Sequence, residues 1–263
     1  MLPFRYLYHY RGFIMGSVKR EFQSKYQSSL LGVTWALLQP LAMILVYTLI
    51  FSSIMRARLP GAESIYGYSI YLCAGIITWS LFSEIASRSQ SIFLDNAGLL
   101  KKLSFPRLCL PVIVVLNAVI NFSIIFALFT GFLLLTGNFP GWAFFALVPV
   151  LAIQILFALG LGITLGVLNV FFRDVGQLFG IVLQFWFWLT PIVYPLSILP
   201  ERAQRLVAFN PMSGLVGSYQ NILLYGRLPE LSALVLPLVL GILLCLSGLY
   251  LFRKHGDDMV DEL

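Results

Sequence analysis

Charged residues are scarce in this sequence. Asp, Glu, Lys and Arg make up 11% of the 263 residues, whereas hydrophobic residues make up 59%. A typical soluble domain carries about 25% charged residues. The deficit excludes an ordinary water-soluble protein and places the chain among integral membrane proteins.

The residues of several catalytic chemistries are also missing. No Gly-Lys pair occurs, so the chain has no phosphate-binding P-loop and no ATPase site of its own. Its two histidines, His9 and His255, lie near the termini, and no acidic pair lies inside a long apolar run. This pattern disfavours a His-based or metal-dependent membrane enzyme, and we expect no cofactor to bind this chain. Cys73, Cys109 and Cys245 lack metal-like or pairing spacing and are expected to be small hydrophobic residues in helices.

Long apolar runs are what the sequence has instead. A helix of about 20 apolar residues crosses a hydrocarbon core of roughly 30 Å. Six runs reach about this length, at residues 33–54, 68–90, 110–136, 142–172, 177–194 and 231–252. The sequence therefore predicts an all-α integral membrane protein with six transmembrane helices, in a single domain that covers residues 1–263.

The positions of Lys and Arg predict the orientation. Placing the N-terminus in the cytoplasm puts twelve of the 17 basic residues on that side, as the positive-inside rule favours. An even number of spans returns the C-terminus to the cytoplasm. The net charge of +6 is thus a topology signal, and no nucleic-acid partner is expected.

Two segments outside the spans have distinct patterns. Residues 4–27 form a basic amphipathic pattern, typical of a helix that lies at the membrane interface beside lipid headgroups, although an ordinary soluble helix has the same pattern. Residues 195–230 mix apolar residues with Pro and Gly. They are expected to form short re-entrant helices between spans five and six, with an exposed loop as the alternative.

Polar and small residues near the spans suggest local contacts. Glu84 and Arg88 are four residues apart near the end of span two, which predicts a local ion pair. No charge lies at the centre of a span, so a proton-coupled carrier is disfavoured. Ala158, Gly162 and Gly166 form a small-residue stripe that suits either packing within the subunit or a dimer seam.

Aromatic residues offer a candidate substrate path. Tyr47 and Phe51 share a helical face with Met43, and Trp188 shares a face with Gln184. Most membrane aromatics face lipid or the interface. An aromatic ring is also a good platform for the apolar face of a sugar, so both uses remain open.

Five blocks of sequence resemble one family when they are taken in order. They are EFQSKYQSSLLGVTWALLQPL at Glu21–Leu41, KKLSFPRLCLP at Lys101–Pro111, VFFRDVGQ at Val170–Gln177, TPIVYP at Thr190–Pro195 and FNPMS at Phe209–Ser213. Together they resemble the permease subunits of bacterial ABC transporters that export O-antigen, capsule and teichoic-acid polysaccharides.

The resemblance implies a homodimer in the bacterial inner membrane that conducts a lipid-linked polysaccharide outwards. Two copies of a cytoplasmic ABC ATPase, which bind ATP-Mg, would supply the energy. The family's channel is lined by aromatics, which favours Tyr47, Phe51, Gln184 and Trp188 as path residues. A coupling helix at about residues 96–103 and a turn after span four would contact the ATPase, through Leu99, Leu100, Lys101, Lys102, Arg173 and Asp174.

Other functions remain open. A related ABC export permease for a drug or lipid would share the topology. A membrane-embedded glycosyl- or phosphotransferase would handle similar lipid-linked substrates, although the missing acidic cluster counts against it. A structural membrane anchor is compatible with the composition alone.

Overall fold

The computed structural model describes residues 8–26, 34–50, 64–102, 109–256 and 258–262. The elements in these ranges are helical. They are α1 (Arg11–Tyr26), α2 (Trp35–Tyr47), α3 (Gly67–Asp95), α4 (Ala97–Lys102), α5 (Cys109–Leu135), a 3-10 turn (Gly141–Ala146), α6 (Leu147–Phe171), α7 (Asp174–Leu189), a second 3-10 turn (Leu196–Ile198), α8 (Glu201–Ala208), α9 (Pro211–Tyr225), α10 (Leu231–Lys254) and α11 (Asp258–Glu262).

Four helical stretches in the described ranges are long and apolar enough to cross a membrane. They are Gly67–Asp95, Cys109–Leu135, Gly141–Phe171 and Leu231–Lys254. A helix pairs most of its backbone polar groups internally, which an apolar surrounding requires. These four agree with spans two, three, four and six of the sequence prediction.

The other two predicted spans contain shorter apolar helices, at Leu37–Ile50 and Asp174–Leu189. Residues 51–54 of predicted span one lie outside the described part of the chain. Predicted span five was expected to reach residue 194, but α7 ends at Leu189 because Thr190 takes an extended conformation before Pro191. A residue that precedes proline is sterically disfavoured in the helical region.

The interior is organised around α3, which packs against α6 and α9. The rings of Phe82 and Phe157 stack with their centroids 5.6 Å apart. Trp186 of α7 lies edge-on to Phe82, with a centroid distance of 5.2 Å. These aromatic contacts join three helices in one buried cluster.

Close helix contacts explain the small-residue stripe on α6. A Cβ added at Gly162 would lie 2.4 Å from Cβ of Ser89 on α3, and one at Gly160 would lie 2.8 Å from the backbone N of Cys245 on α10. Gly166 likewise approaches the carbonyl oxygen of Ser89. Of the two interpretations of the stripe, packing within the subunit accounts for it.

The segment between α7 and α10 is helical rather than a plain exposed loop. Met212, Leu215, Tyr219 and Ile222 of α9 are almost fully buried. They lie among α3, α6 and α10. The last turn of α9 ends at Gly226, whose φ of 60° is the left-handed conformation that glycine adopts without strain.

Candidate functional site

The first predicted coupling element forms a helix, as the sequence predicted. α4 follows α3 after a single residue, Asn96, whose carbonyl oxygen accepts hydrogen bonds from the backbone N–H groups of Leu99 and Leu100, both at 3.0 Å. Leu100 is buried, Leu99 is half-buried and Lys101 is exposed. The side chain of Lys102 lies outside the described part. α4 thus combines an apolar anchor with at least one solvent-facing cation.

The second element is the turn between α6 and α7. Asn169 is buried near the end of α6, and its Oδ1 accepts a hydrogen bond from the backbone N–H of Gly176 at 2.9 Å. A Cβ at Gly176 would lie 2.7 Å from Nε2 of Gln90 and 3.0 Å from Oδ1 of Asn169, so these two side chains would have to move to admit a larger residue. Arg173 and Asp174 are exposed at its tip. Asp174 also lies in the first turn of α7, where the helix dipole favours a negative charge.

Both elements share one hydrophobic cluster at the same end of the bundle, here termed the α4 end. Leu100 of α4 and Val170 of α6 are members of it. The other buried members are Ile92, Phe93, Leu110, Val114, Val167 and Met259. The fold therefore brings together two segments that are about seventy residues apart in the sequence.

A polar network joins α1, α3 and α5. Arg88 forms an ion pair with Glu84 at 3.5 Å, as the four-residue spacing predicted, but it also pairs more closely with Glu21 of α1. Asn117 Nδ2 donates to Glu21 Oε2 at 2.5 Å, and Asn121 Nδ2 donates to Glu84 Oε1 at 2.8 Å. The pair is thus part of a link among three helices rather than a local contact on one.

Next to this network lies a cavity of about 400 Å³ between α2, α3 and α5. Glu84 and Asn121 contribute its carboxylate and carboxamide, and Trp35 is 49% exposed at its wall. The other lining residues include Gln39, Pro40, Met43, Ile77 and Ser80. A carboxylate, amides, a hydroxyl and an indole face are groups that hydrogen-bond and stack on a sugar ring.

These lining residues were not predicted together from the sequence. The available signal was spacing: Gln39 is four residues from both Trp35 and Met43, and Ser80 is four residues from Glu84. That spacing places residues on one helical face, but it does not show that two such faces from different helices meet.

The predicted path residues are divided between two helices. Tyr47 lies two helical turns beyond Gln39 on α2 and packs, partly buried, against the main core. Phe51 lies outside the described residues. Gln184 and Trp188 are exposed on α7, and Trp188 is 60% exposed. The cavity lining includes Met43 from the predicted aromatic face but neither α7 residue.

At the opposite end, the irregular segment Thr190–Pro195, which consists of turns and bends, is stabilised by side chains. Tyr71 Oη donates to the carbonyl oxygens of Pro191 at 3.0 Å and Tyr194 at 2.9 Å. Tyr68 Oη donates to that of Val193 at 2.6 Å. These hydrogen bonds replace the helical ones that the segment has lost.

Asn210 connects this irregular segment to α9. Its Oδ1 accepts hydrogen bonds from Trp186 Nε1 at 2.8 Å and from the Met212 backbone N–H at 3.0 Å, so it caps the helix. Its Nδ2 donates to Thr190 Oγ1 at 3.0 Å. Pro211 occupies the first helical position, where its missing N–H has no cost. The sequence block around Asn210 thus has a physical reason for its composition.

The chain is similar to known transport proteins over nearly its whole length. Residues 14–224 match the family described as ABC-2 type transporter. The chain is 31% identical over 261 residues to the O-antigen export system permease protein RfbA of Myxococcus xanthus, covering 98% of both chains. It is 29% identical to a protein of the same name from Klebsiella pneumoniae, over 89% of this chain and 88% of that one. It is 23% identical to the polysialic acid transport protein KpsM of Escherichia coli, over 92% of both.

Proposed function

Because this chain belongs to the ABC-2 type transporter family, we propose that it is the permease subunit of an ATP-driven exporter that moves a lipid-linked, O-antigen-like polysaccharide from the cytoplasmic to the outer face of the bacterial inner membrane. The observation that carries this proposal is the end-to-end similarity to the Myxococcus xanthus O-antigen export permease. The missing P-loop fits a subunit whose energy comes from a separate protein.

In the proposed topology the chain crosses the membrane six times, with α2 and α7 as the shorter crossings and both termini in the cytoplasm. α1 lies at the inner interface. The short helices between α7 and α10 enter the membrane from outside and return. The carbonyl oxygens bound by Tyr68 and Tyr71 support this placement, since irregular backbone at membrane depth must find its partners within the protein.

The working unit in this proposal is a homodimer with two copies of an ABC ATPase. α7 supports it, because much of its apolar surface is exposed in the single protomer, at Leu178, Ile181, Val182, Phe185, Trp188 and Leu189. A second copy would cover part of that surface and enclose a path lined by Tyr47, Phe51, Gln184 and Trp188.

The cavity beside the polar network forms a further part of this proposed path. Trp35 supplies a stacking platform, and Glu84 and Asn121 supply hydrogen-bonding groups at the same wall. Such a site binds each sugar through a few weak contacts. A long glycan can therefore occupy it and move on.

The ATPase binds at the α4 end, where closure of the partner ATPase on ATP-Mg drives transport. Lys101, Arg173 and Asp174 are exposed there and suit polar contacts. Leu99, Leu100 and Lys102 complete the proposed coupling set, with Leu100 transmitting movement because it is anchored in the buried cluster.

The decisive experiment is reconstitution in liposomes with the ATPase that co-purifies with the chain. We expect lipid-linked glycan extracted from the same cells to cross the bilayer only when both subunits and ATP are present. Uphill glycan transport by the permease alone would contradict the proposal. Glycosyl or phosphoryl transfer by the purified chain would favour a membrane-embedded transferase. Transport of a drug or simple lipid without glycan transport would favour an ABC export permease for that class of substrate.

Residue variants test the assigned roles in the same assay. Arg173→Ala and Asp174→Ala should reduce export without reducing the amount of inserted permease, and full export by both would remove them from coupling.

Trp35→Ala, or Tyr47→Ala combined with Phe51→Ala, should slow glycan flux while the ATPase stays bound. Trp142→Ala is the matched control, since Trp142 is 88% exposed in a turn far from the cavity in sequence and outside its lining.

A further inference from the structure

The C-terminal segment returns to the bundle after its last long helix. α10 ends at Lys254, and α11 follows at Asp258–Glu262. Met259 of α11 is only 1% exposed. Its side chain belongs to the cluster that contains Leu100 of α4 and Val170 of α6. Met259 is therefore buried against α4 and the end of α6, which precedes the Arg173–Asp174 turn.

Further contacts hold this segment in place. The Met259 backbone N–H donates to the carbonyl oxygen of His255 at 2.9 Å. The His255 ring lies edge-on to Phe171 at a centroid distance of 5.9 Å, and its Nδ1 is 3.1 Å from Asp258 Oδ2. Just before the segment, Phe252 stacks on Phe93 of α3 at 5.6 Å.

α4 depends on such outside support. A helix of six residues is too short to be stable alone, because the nucleation cost exceeds what one or two turns return. α4 contacts α3, which precedes it, and α11. Its buried residue Leu100 shares one hydrophobic cluster with Val170 of α6 and Met259 of α11.

We propose that α11 positions the ATPase-facing surface through Met259, which holds α4 at a defined place relative to the Arg173–Asp174 turn. The ATPase would then contact both elements as one rigid unit, and its movement would reach α3 and α6 together. This inference rests on the proposed function, because it assigns a role in coupling to the partner ATPase.

The test compares Met259→Ala, Met259→Leu and Glu262→Ala in the full permease–ATPase complex in liposomes. Glu262 is exposed on the same helix and serves as the matched control. Glycan exported per ATP hydrolysed, basal ATP hydrolysis and the amount of assembled complex are measured separately. We expect Met259→Ala to lower the export-to-hydrolysis ratio about tenfold, since substitutions in the packed residues that join two sites change the coupling between them by up to about this factor. Assembly and basal hydrolysis should be retained, and Met259→Leu should restore the ratio.

Several outcomes would overturn the inference. A normal export-to-hydrolysis ratio in Met259→Ala would do so, as would equal losses in Met259→Ala and Glu262→Ala. If Met259→Ala is not recovered as folded protein, a chain that ends at Gly256 replaces it, because α10 is then complete. Failure of both to fold would make Met259 a general core residue and reject the positioning role. Absence of ATP-dependent export by the unaltered complex would instead reject the proposed function itself.

Discussion

Two regions of the bundle hold neighbouring segments together in opposite ways. Where α6 crosses α3 and α10, glycines bring the backbones together, so that a Cβ added at Gly162 or Gly160 would lie less than 3.0 Å from an atom of the neighbouring helix. In the crossover between α7 and α9, residues 190–210, the backbone leaves the helix at Thr190, and Tyr68 and Tyr71 of α3 bind the carbonyl oxygens of the irregular residues that follow. The close approach of the helices in the first region requires glycines without side-chain atoms, whereas the second region requires particular hydrogen-bond donors and acceptors.

This difference sets what each region tolerates. At the glycine crossing, an added methyl group meets atoms that cannot move without shifting a whole helix. In the crossover, the stability depends less on side-chain volume than on hydrogen bonds. An unpaired polar group in an apolar surrounding is destabilising because no water is there to bind it. Substitutions that change either side-chain volume or hydrogen bonding, each with a matched control, should separate sensitivity to volume from sensitivity to lost hydrogen bonds.

The largest effect is expected from Gly162→Ala. The new Cβ would lie 2.4 Å from Cβ of Ser89 and 3.0 Å from the carbonyl oxygen of Ala86, so α3 and α6 must separate. We expect a loss of about 3 kcal/mol, at the upper end of overpacking costs. Unfolding by SDS titration measures it. Gly131→Ala on α5 is the control, since no described atom lies within 4 Å of its added Cβ, and it should not destabilise. Equal stability of the two variants would contradict the close-contact explanation.

Asn210→Leu should have the next largest effect. The change keeps the approximate volume but removes the cap of α9 and leaves Trp186 Nε1 without its acceptor. We expect a loss of about 2 kcal/mol from these two terms. Near-ultraviolet circular dichroism and the SDS midpoint report the change at Trp186 and the stability.

Asn210→Ser is the comparison variant for this position, because serine also caps helices well. It should recover about half of the lost stability. If Asn210→Leu were as stable as the unaltered protein, the crossover would be held by packing alone, and the contrast between the two regions would disappear.

The smallest effects are expected from removing single hydroxyl groups. Tyr71→Phe removes a buried hydroxyl whose one hydrogen is shared between two carbonyl oxygens and should cost about 1 kcal/mol, while Tyr68→Phe removes a donor from a more exposed site and should cost about 0.5 kcal/mol. The order of the two unfolding midpoints is the measurement. A larger loss for Tyr68→Phe would show that burial of the hydroxyl does not control stability in the crossover.

Local patterns in the sequence were sufficient for several features and insufficient for others. The Glu84–Arg88 pair was predicted because the two residues lie one turn apart on one helix. The partnership of Arg88 with Glu21, 67 positions away, was not, since no local spacing encodes which helices become neighbours. The short α4 helix was predicted, but the burial of Met259 beneath it was not.

The candidate site divides in the same way. Exposure of Arg173 and Asp174 follows from a short turn between two apolar helices, which the charge pattern alone indicates. The cavity with Trp35, Glu84 and Asn121 has walls from three helices, and its existence depends on their angles and distances. The roles of Tyr47, Phe51, Gln184 and Trp188 remain predictions.

Composition and the order of residues alone decided that this chain is a helical membrane protein, because apolar runs of this length have no other stable surrounding. Proline after Thr190 likewise decided where α7 ends. Only the tertiary structure decided which glycines lie at helix crossings, which carbonyl oxygens Tyr68 and Tyr71 bind, and which charges meet. The physical reason is that these contacts join residues from distant segments, and their energies depend on positions that no single helix determines.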